Sequence, residues 1–300
     1  MPAKRSEARG RSWWVHGARY RVPEVPAVEL KRAGEIAYRE ALPDAGAGDE
    51  ALPVLLIHGY PESSFMWRDL LPPLAGSGRR AVAPDLPGYG NSPPFRPGTW
   101  EHHVEVVEEF RQSVDLDRAV LAVHDWGGLI GMRWACDHPE AVGGLVISNT
   151  GFFPDGKWHG MAKALRTEGV GEATLEGLDR DGFAAMLRAT GRGFDDAAID
   201  EYWKAYATEE GRRGQLELYR SGDFEKLVPY EGRLAALGVP TLILWGERDE
   251  FAPVAGAYRF HKEMPDSKLA LIEDAGHFAF EDEPERCASE ILEFLDEAGI

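Results

Sequence analysis

Cysteine is scarce. Cys136 and Cys287 are the only two in 300 residues, too few for a disulfide framework, and they read as reduced thiols of a cytoplasmic protein. Long apolar runs are missing too: no stretch approaches the roughly 18 apolar residues that a membrane-crossing helix needs. Positive charge is in deficit, with 33 Lys+Arg against 51 Asp+Glu and a formal net charge of −18. Such a surface repels phosphate backbones and anionic lipid, so neither nucleic acid nor membrane is expected as a partner. Residues 1–11 (MPAKRSEARGR) are basic and polar with no apolar segment behind them. No secretory leader is expected there, and residues 1–27 read as a mobile N-terminal tail.

What is present is ordinary for a globular protein: 44% hydrophobic and 10% aromatic residues, enough to build a sizeable core. Short apolar runs alternate with helical patterns. Strands are expected at Val28–Arg32, Glu35–Glu40, Pro53–His58 (PVLLIH), Arg80–Pro84, Ala119–His124 (AVLAVH) and Gly144–Ser148. Runs apolar throughout suit strands buried on both faces. Helices are expected at Phe65–Leu74, Trp100–Val114 and Gly127–Cys136. From Phe152 to Lys226 the strand signal disappears, and amphipathic segments such as Asp195–Thr208 and Arg213–Arg220 take over. The β/α pattern returns at Pro240–Trp245 (PTLILW), Leu269–Ile272 and Glu285–Ala298. The expected architecture is a mostly parallel α/β sheet flanked by helices, with its core at 28–151 and 227–300 and a helical cap at 152–226.

The strongest local feature is Val123-His124-Asp125-Trp126-Gly127-Gly128, which ends a strand and opens a helix. A sharp strand–turn–helix lifts one side chain clear of the backbone and needs small neighbours. Gly127 supplies one; Val123, two before the raised residue, departs from that pattern. The raised side chain is Asp125. A carboxylate attacks saturated carbon bearing a polarised leaving group and forms an ester that water must then cleave. Epoxides and alkyl halides are therefore the electrophiles to consider. The competing reading is that Asp125 merely caps the helix.

Three further segments follow strands in a telling order. His58-Gly59-Tyr60-Pro61 could aim the Tyr60 backbone N–H, with that of Trp126, at one oxygen of an ester intermediate. Asp249, in Gly246-Glu247-Arg248-Asp249, could orient an imidazole. His277, in Ala275-Gly276-His277-Phe278, could take a proton from water. Open α/β sheets place such residues on loops at the carboxyl ends of strands. His102-His103 lacks partners at metal-ligand spacing, so no metal is assigned.

The segments HGYPESSFMW (58–67), APDLPGYGNS (83–92), VHDWGG (123–128), WGERD (245–249) and AGHF (275–278) resemble the α/β-hydrolase superfamily, within it the epoxide hydrolase and haloalkane dehalogenase branch. The resemblance covers about 28–148 and 227–298. It implies a triad of Asp125, Asp249 and His277, an oxyanion hole from Tyr60 and Trp126, a helical cap and no cofactor. The implied partners are a small neutral apolar substrate and water, with the protein a monomer or homodimer.

Both groups of the branch carry Asp-Trp at this turn. Tyr219, in RGQLELYR (213–220), resembles a cap tyrosine with which epoxide hydrolases protonate the departing oxygen; their other cap tyrosine has no match before Tyr202. Haloalkane dehalogenases hold the halide with two N–H donors. Trp126 could be one and a cap tryptophan, Trp158 or Trp203, the other. The H-G-x-P-E form at 58–62 and the setting of Tyr219 favour an epoxide hydrolase that yields a vicinal diol. The alternatives are hydrolytic carbon–halogen cleavage and, more remotely, a non-catalytic ligand-binding protein on the same fold.

Overall fold

A computed structural model of the chain describes residues 27–44 and 51–300, together with the backbone of two short strands, Ser12–Val15 and Ala18–Arg21, which pair antiparallel. The rest of the segment read as a tail lies outside the described residues.

Eight strands form the main sheet: β1 (Glu29–Ala33), β2 (Ile36–Ala41), β3 (Val54–Ile57), β4 (Ala81–Pro84), β5 (Ala119–His124), β6 (Val142–Ser148), β7 (Thr241–Gly246) and β8 (Lys268–Ile272). Their order is β8-β7-β6-β5-β3-β4-β2-β1. β1 and β2 pair antiparallel, as do β2 and β4; every other neighbouring pair is parallel. The central strands β3, β5, β6 and β7 are buried along their whole length. Their Val, Ile and Leu side chains meet helices on both faces, each contributing roughly 1.5–3 kcal/mol relative to an exposed position.

The helices of the first half are α1 (Leu71–Gly76), α2 (Trp100–Ser113) and α3 (Trp126–Asp137). The single helix expected over Phe65–Leu74 divides into a 3₁₀ turn, Ser64–Trp67, and α1. Pro72 and Pro73 are the cause: lacking N–H groups, they fit only in a helix's first turn, where they now stand. Between β6 and β7 the insertion is helical, as its pattern predicts: α4 (Gly160–Arg166), α5 (Val170–Glu176), α6 (Arg180–Thr190), α7 (Asp196–Trp203) and α8 (Glu209–Ser221). Then come α9 (Arg233–Ala236), α10 (Ala255–Glu263), α11 (Ala279–Asp282) and α12 (Pro284–Ala298). The sequence reading omits α10, whose inward face is only Ala257 and Phe260.

α8 is fixed to the core at several points. Glu217 accepts from Arg96 and from the Gly98 N–H, both at 2.7 Å. Ser221 Oγ accepts the Trp100 N–H at 2.8 Å; within the insertion itself, Arg166 at the end of α4 donates to the carbonyls of Tyr219 and Gly222.

The turn between β5 and α3 is very tight. A Cβ at Gly127 would lie 2.3 Å from the Ile57 carbonyl oxygen and 2.5 Å from that of His58, so no larger residue fits. Val123, the departure noted in the sequence, is accommodated from the opposite side. Gly131 leaves the space, since a Cβ there would come within 2.7 Å of Val123 Cγ1. Gly127→Ala is expected to cost about 3 kcal/mol or more by overpacking against backbone that cannot yield. Thermal unfolding followed by circular dichroism measures this, and an alanine variant as stable as the parent would contradict the packing described.

Candidate active site

Because β3, β5, β6, β7 and β8 run parallel, the loops leaving them gather along one edge of the sheet. This places the segments at 58–62, 125–128, 149–151, 247–252 and 275–278 together.

Asp125 has φ 48° and ψ −121°, a left-handed conformation costly for a residue with a Cβ. Surrounding contacts hold it there: its carbonyl accepts the Gly128 N–H at 2.9 Å and the Thr150 hydroxyl at 2.6 Å. Its carboxylate makes no capping hydrogen bond to α3, so the capping alternative fails. Oδ1 instead accepts the Tyr60 N–H at 2.7 Å, and Oδ2 lies 3.5 Å from His277 Nε2.

The other ring nitrogen of His277 faces Asp249, with Nδ1 to Oδ2 at 2.8 Å. Asp249 is itself fully engaged. Its Oδ1 accepts the N–H groups of Phe251 (2.7 Å) and Ala252 (2.8 Å), and its Oδ2 also accepts from Asn149 Nδ2 at 2.8 Å. Asn149, at φ 42°, accepts the Gly246 N–H at 3.1 Å through Oδ1. The sequence reading did not give it this task; the only signal was a polar Ser-Asn-Thr run closing an otherwise apolar strand.

Charge compensation sets the titration of this row. Burial alone would raise both aspartates, but His277 and the donated N–H groups outweigh it and hold both below the ordinary carboxylate range. Burial alone would lower His277, but Asp249 and Asp125 on either side lift it well above its usual value. Burial, reinforced by the charge of Asp125, raises Tyr219 far above an ordinary phenol, so it stays protonated.

The insertion roofs a cavity of about 270 Å³ lined by Asp125, Trp126, Trp158, Tyr219, Phe251 and His277 among others. A small adjoining recess shares Asp125, Tyr219 and His277 and adds Met161 and Met186. Among the described residues, Asp125 is the sole carboxylate lining either. The Tyr219 ring stands edge-on to Tyr60 (4.9 Å between centroids) and Trp126 (5.3 Å). Trp158 lies nearly parallel on Trp126, 5.5 Å between centroids at 24°, with Arg166 over its ring. Trp203, the other tryptophan considered from sequence, packs instead on Tyr206 and Phe183. Tyr202 donates to Glu281, and His102 meets Glu105 at the surface. His159, which the sequence reading passed over, lines both recesses. Among the described residues no group of three or more His, Cys, Asp or Glu could hold a metal ion, and no helix is long and apolar enough to cross a membrane.

Replacing His277 by Gln would leave the buried Asp249 and the largely buried Asp125 without their counter-ion. The raised His277 contributes stability that is fully present below about pH 6.5 and lost as pH rises through its folded value; the lowered aspartates contribute above about pH 4 and lose it on acidification. The stability gap between the parent and His277→Gln is thus expected to be widest from about pH 4 to 6.5 and to narrow on either side. Urea unfolding across that range measures it, and a gap growing steadily toward alkaline pH would contradict this charge arrangement.

Comparison with known proteins bears on the family of the chain. The family model described as alpha/beta hydrolase fold matches residues 53–284. Haloalkane dehalogenase 2 of Mycobacterium bovis is 32% identical over 265 residues, covering 83% of this chain and 89% of its own. A haloalkane dehalogenase of Psychrobacter cryohalolentis is 29% identical over 271 residues, covering 84% and 86%. The crystal structure of a putative ancestral haloalkane dehalogenase superposes with a TM-score of 0.75 at 27% identity, over 88% of this chain and 96% of that one. The chain is therefore a hydrolase of the α/β-hydrolase superfamily and belongs to its epoxide hydrolase and haloalkane dehalogenase branch.

Proposed function

We propose that the protein hydrolyses carbon–halogen bonds of small neutral haloalkanes through an ester on Asp125. This reverses the order of preference that the sequence suggested. The observation that carries the reading is the carboxylate of Asp125, raised on a strained turn, uncommitted to its helix, and held between the Tyr60 N–H and His277. The extended similarity to haloalkane dehalogenases supports the halide over the epoxide.

In this mechanism Asp125 attacks the halogen-bearing carbon, the C–O bond forms as the carbon–halogen bond breaks, and halide departs. The Trp126 indole N–H and Tyr219 hydroxyl are the donors available to the leaving halide, with Trp158 stacked behind Trp126. Esterification removes the negative charge of Asp125, one of the two that keep His277 protonated. His277 can then release its proton and serve as base toward water. Water attacks the Asp125 carboxyl carbon, and the Tyr60 N–H receives the developing oxyanion. Collapse expels the alcohol, which takes its proton from His277, while Asp249 steadies the imidazolium. The balance is haloalkane plus water giving alcohol, halide and one proton. A lining with no second carboxylate suits neutral substrates, and the helical insertion serves as the cap.

One observation favours the epoxide reading: the Tyr219 phenol is kept protonated beside the nucleophile. The two readings separate on one variant. A halide needs only a hydrogen bond, so Tyr219→Phe is expected to slow halide release by about tenfold. An opening epoxide needs a proton, and the same change would cost about 10²-fold or more. Parallel assays with a dibromoalkane and a styrene-oxide-type epoxide are expected to give halide without diol; diol without halide would reverse the assignment. Asp125→Ala is expected to abolish turnover in a folded protein. His277→Gln is expected to slow ester hydrolysis by about 10²–10⁴-fold, so that intact-protein mass spectrometry shows the alkyl adduct. Turnover by Asp125→Ala would sink the mechanism.

A further inference from the structure

We propose that Arg166 is a positioning residue for the leaving halide: its guanidinium holds the end of α8 that carries Tyr219 and sets an unneutralised positive charge against the stacked Trp158 and Trp126. The kinetic part of this proposal rests on the ester mechanism above; the effect on anion affinity does not.

Arg166 stands in the last turn of α4. Its guanidinium donates to the carbonyls of Tyr219 and Gly222. These belong to the last turn of α8 and its cap, where carbonyls have no partner within the helix and where the helix dipole favours a cation. The same guanidinium lies over the Trp158 ring, 5.0 Å from its centroid, a cation–π contact. Trp158 in turn lies on Trp126. Tyr219 meets both rings, 6.0 Å from Trp158 and 5.3 Å from Trp126 between centroids. Gly222 leaves room for the stack, since a Cβ there would fall 2.6 Å from Trp126 Cη2 and 2.9 Å from Trp158 Cζ2. One side chain thus braces the phenol's helix and the indole pair together.

Its charge sets Arg166 apart from its neighbours. Arg220, on α8, is bound two-pronged by Glu172 at 2.7 Å and 2.8 Å. Among the described residues no carboxylate pairs with Arg166. Partial burial works against its charge, and the acid that acts in its favour is Asp223. That carboxylate is exposed and accepts the Glu225 N–H at 3.0 Å. A guanidinium stays ionised in proteins, so Arg166 remains a half-buried cation without a counter-ion, and an arriving anion is favoured. Lys157 also lines the cavity, but it is exposed, and water and salt screen it.

Alkylation is the step that delivers an anion. As the carbon–halogen bond breaks, a full negative charge forms beside Trp126 and Tyr219. A fixed positive charge about 10 Å away in a partly buried setting favours that anion by about tenfold. The same charge holds back the release of halide and leaves the neutral alcohol unaffected.

Bromide titrations followed by tryptophan fluorescence, at constant ionic strength, test the charge without turnover. The unaltered protein is expected to bind bromide, and Arg166→Gln to bind it about tenfold more weakly. Arg166→Lys, which keeps the charge, is expected to stay within about threefold of the parent. Affinity for a short neutral alcohol is expected to change by less than about twofold in both variants. Equal loss of bromide in the two variants, equal loss of bromide and alcohol, or no bromide binding by the unaltered protein would overturn the proposal. If Arg166→Gln does not fold, Arg166→Lys decides alone: a loss of about tenfold in bromide affinity with the charge retained overturns it. In single-turnover reactions with a dibromoalkane, Arg166→Gln is expected to slow alkylation by about tenfold and ester hydrolysis by less than about twofold; the opposite pattern overturns the kinetic part. Absence of halide release from any haloalkane would defeat the proposed reaction, while the bromide titration still decides the role of Arg166.

Discussion

Asp249 is withdrawn from water and Asp125 largely so, on either side of one imidazole, and holding two carboxylates there is tolerable only because His277 is charged between them. Around this requirement the neighbouring loops take their shape. Asp249 is anchored by two backbone N–H groups and Asn149, while Asp125 leans on the Tyr60 N–H. The strain at Asp125 belongs to the same arrangement. A relaxed backbone there would turn the carboxylate toward its own helix, where it would act as a cap, whereas the Thr150 hydroxyl and the start of α3 hold the carbonyl and release the side chain.

The core was legible in the sequence because its strands are buried on both faces. PVLLIH, AVLAVH and PTLILW leave no choice of face, and the observed strands fall within or next to these runs. The turn at 123–128 was legible because glycine is required by a backbone approach of 2.3 Å. Local pattern failed where a rule of chain geometry or a weak face intervened, as at Pro72–Pro73 and at α10. Within the site, the chain order nucleophile, acid, histidine brought Asp125, Asp249 and His277 to attention. The task of Asn149 escaped because it lies in a contact across 100 positions of chain. No periodicity or motif reports such contacts.

The leaving-group end of the site shows how finely related chemistries are separated. Trp126 and Tyr219 line the cavity with Asp125, and the indole N–H or the phenol hydroxyl could meet a halide or a forming alkoxide. The sequence weighed the phenol more heavily; the extended similarity weighs the halide. Both readings leave the base, the oxyanion donor and the nucleophile with the same tasks.

The attachment of α8 to the core divides the cavity into two mechanical regimes. Glu217 and Ser221 hold the helix that carries Tyr219, so the end of the cavity that bears this phenol is stiff. The adjoining recess is bounded by Met161 and Met186, unbranched side chains that fill irregular shapes and re-form around different contents. Under the proposed reaction, such a site would be strict for the atom that departs and lenient for the shape of the remainder of the molecule.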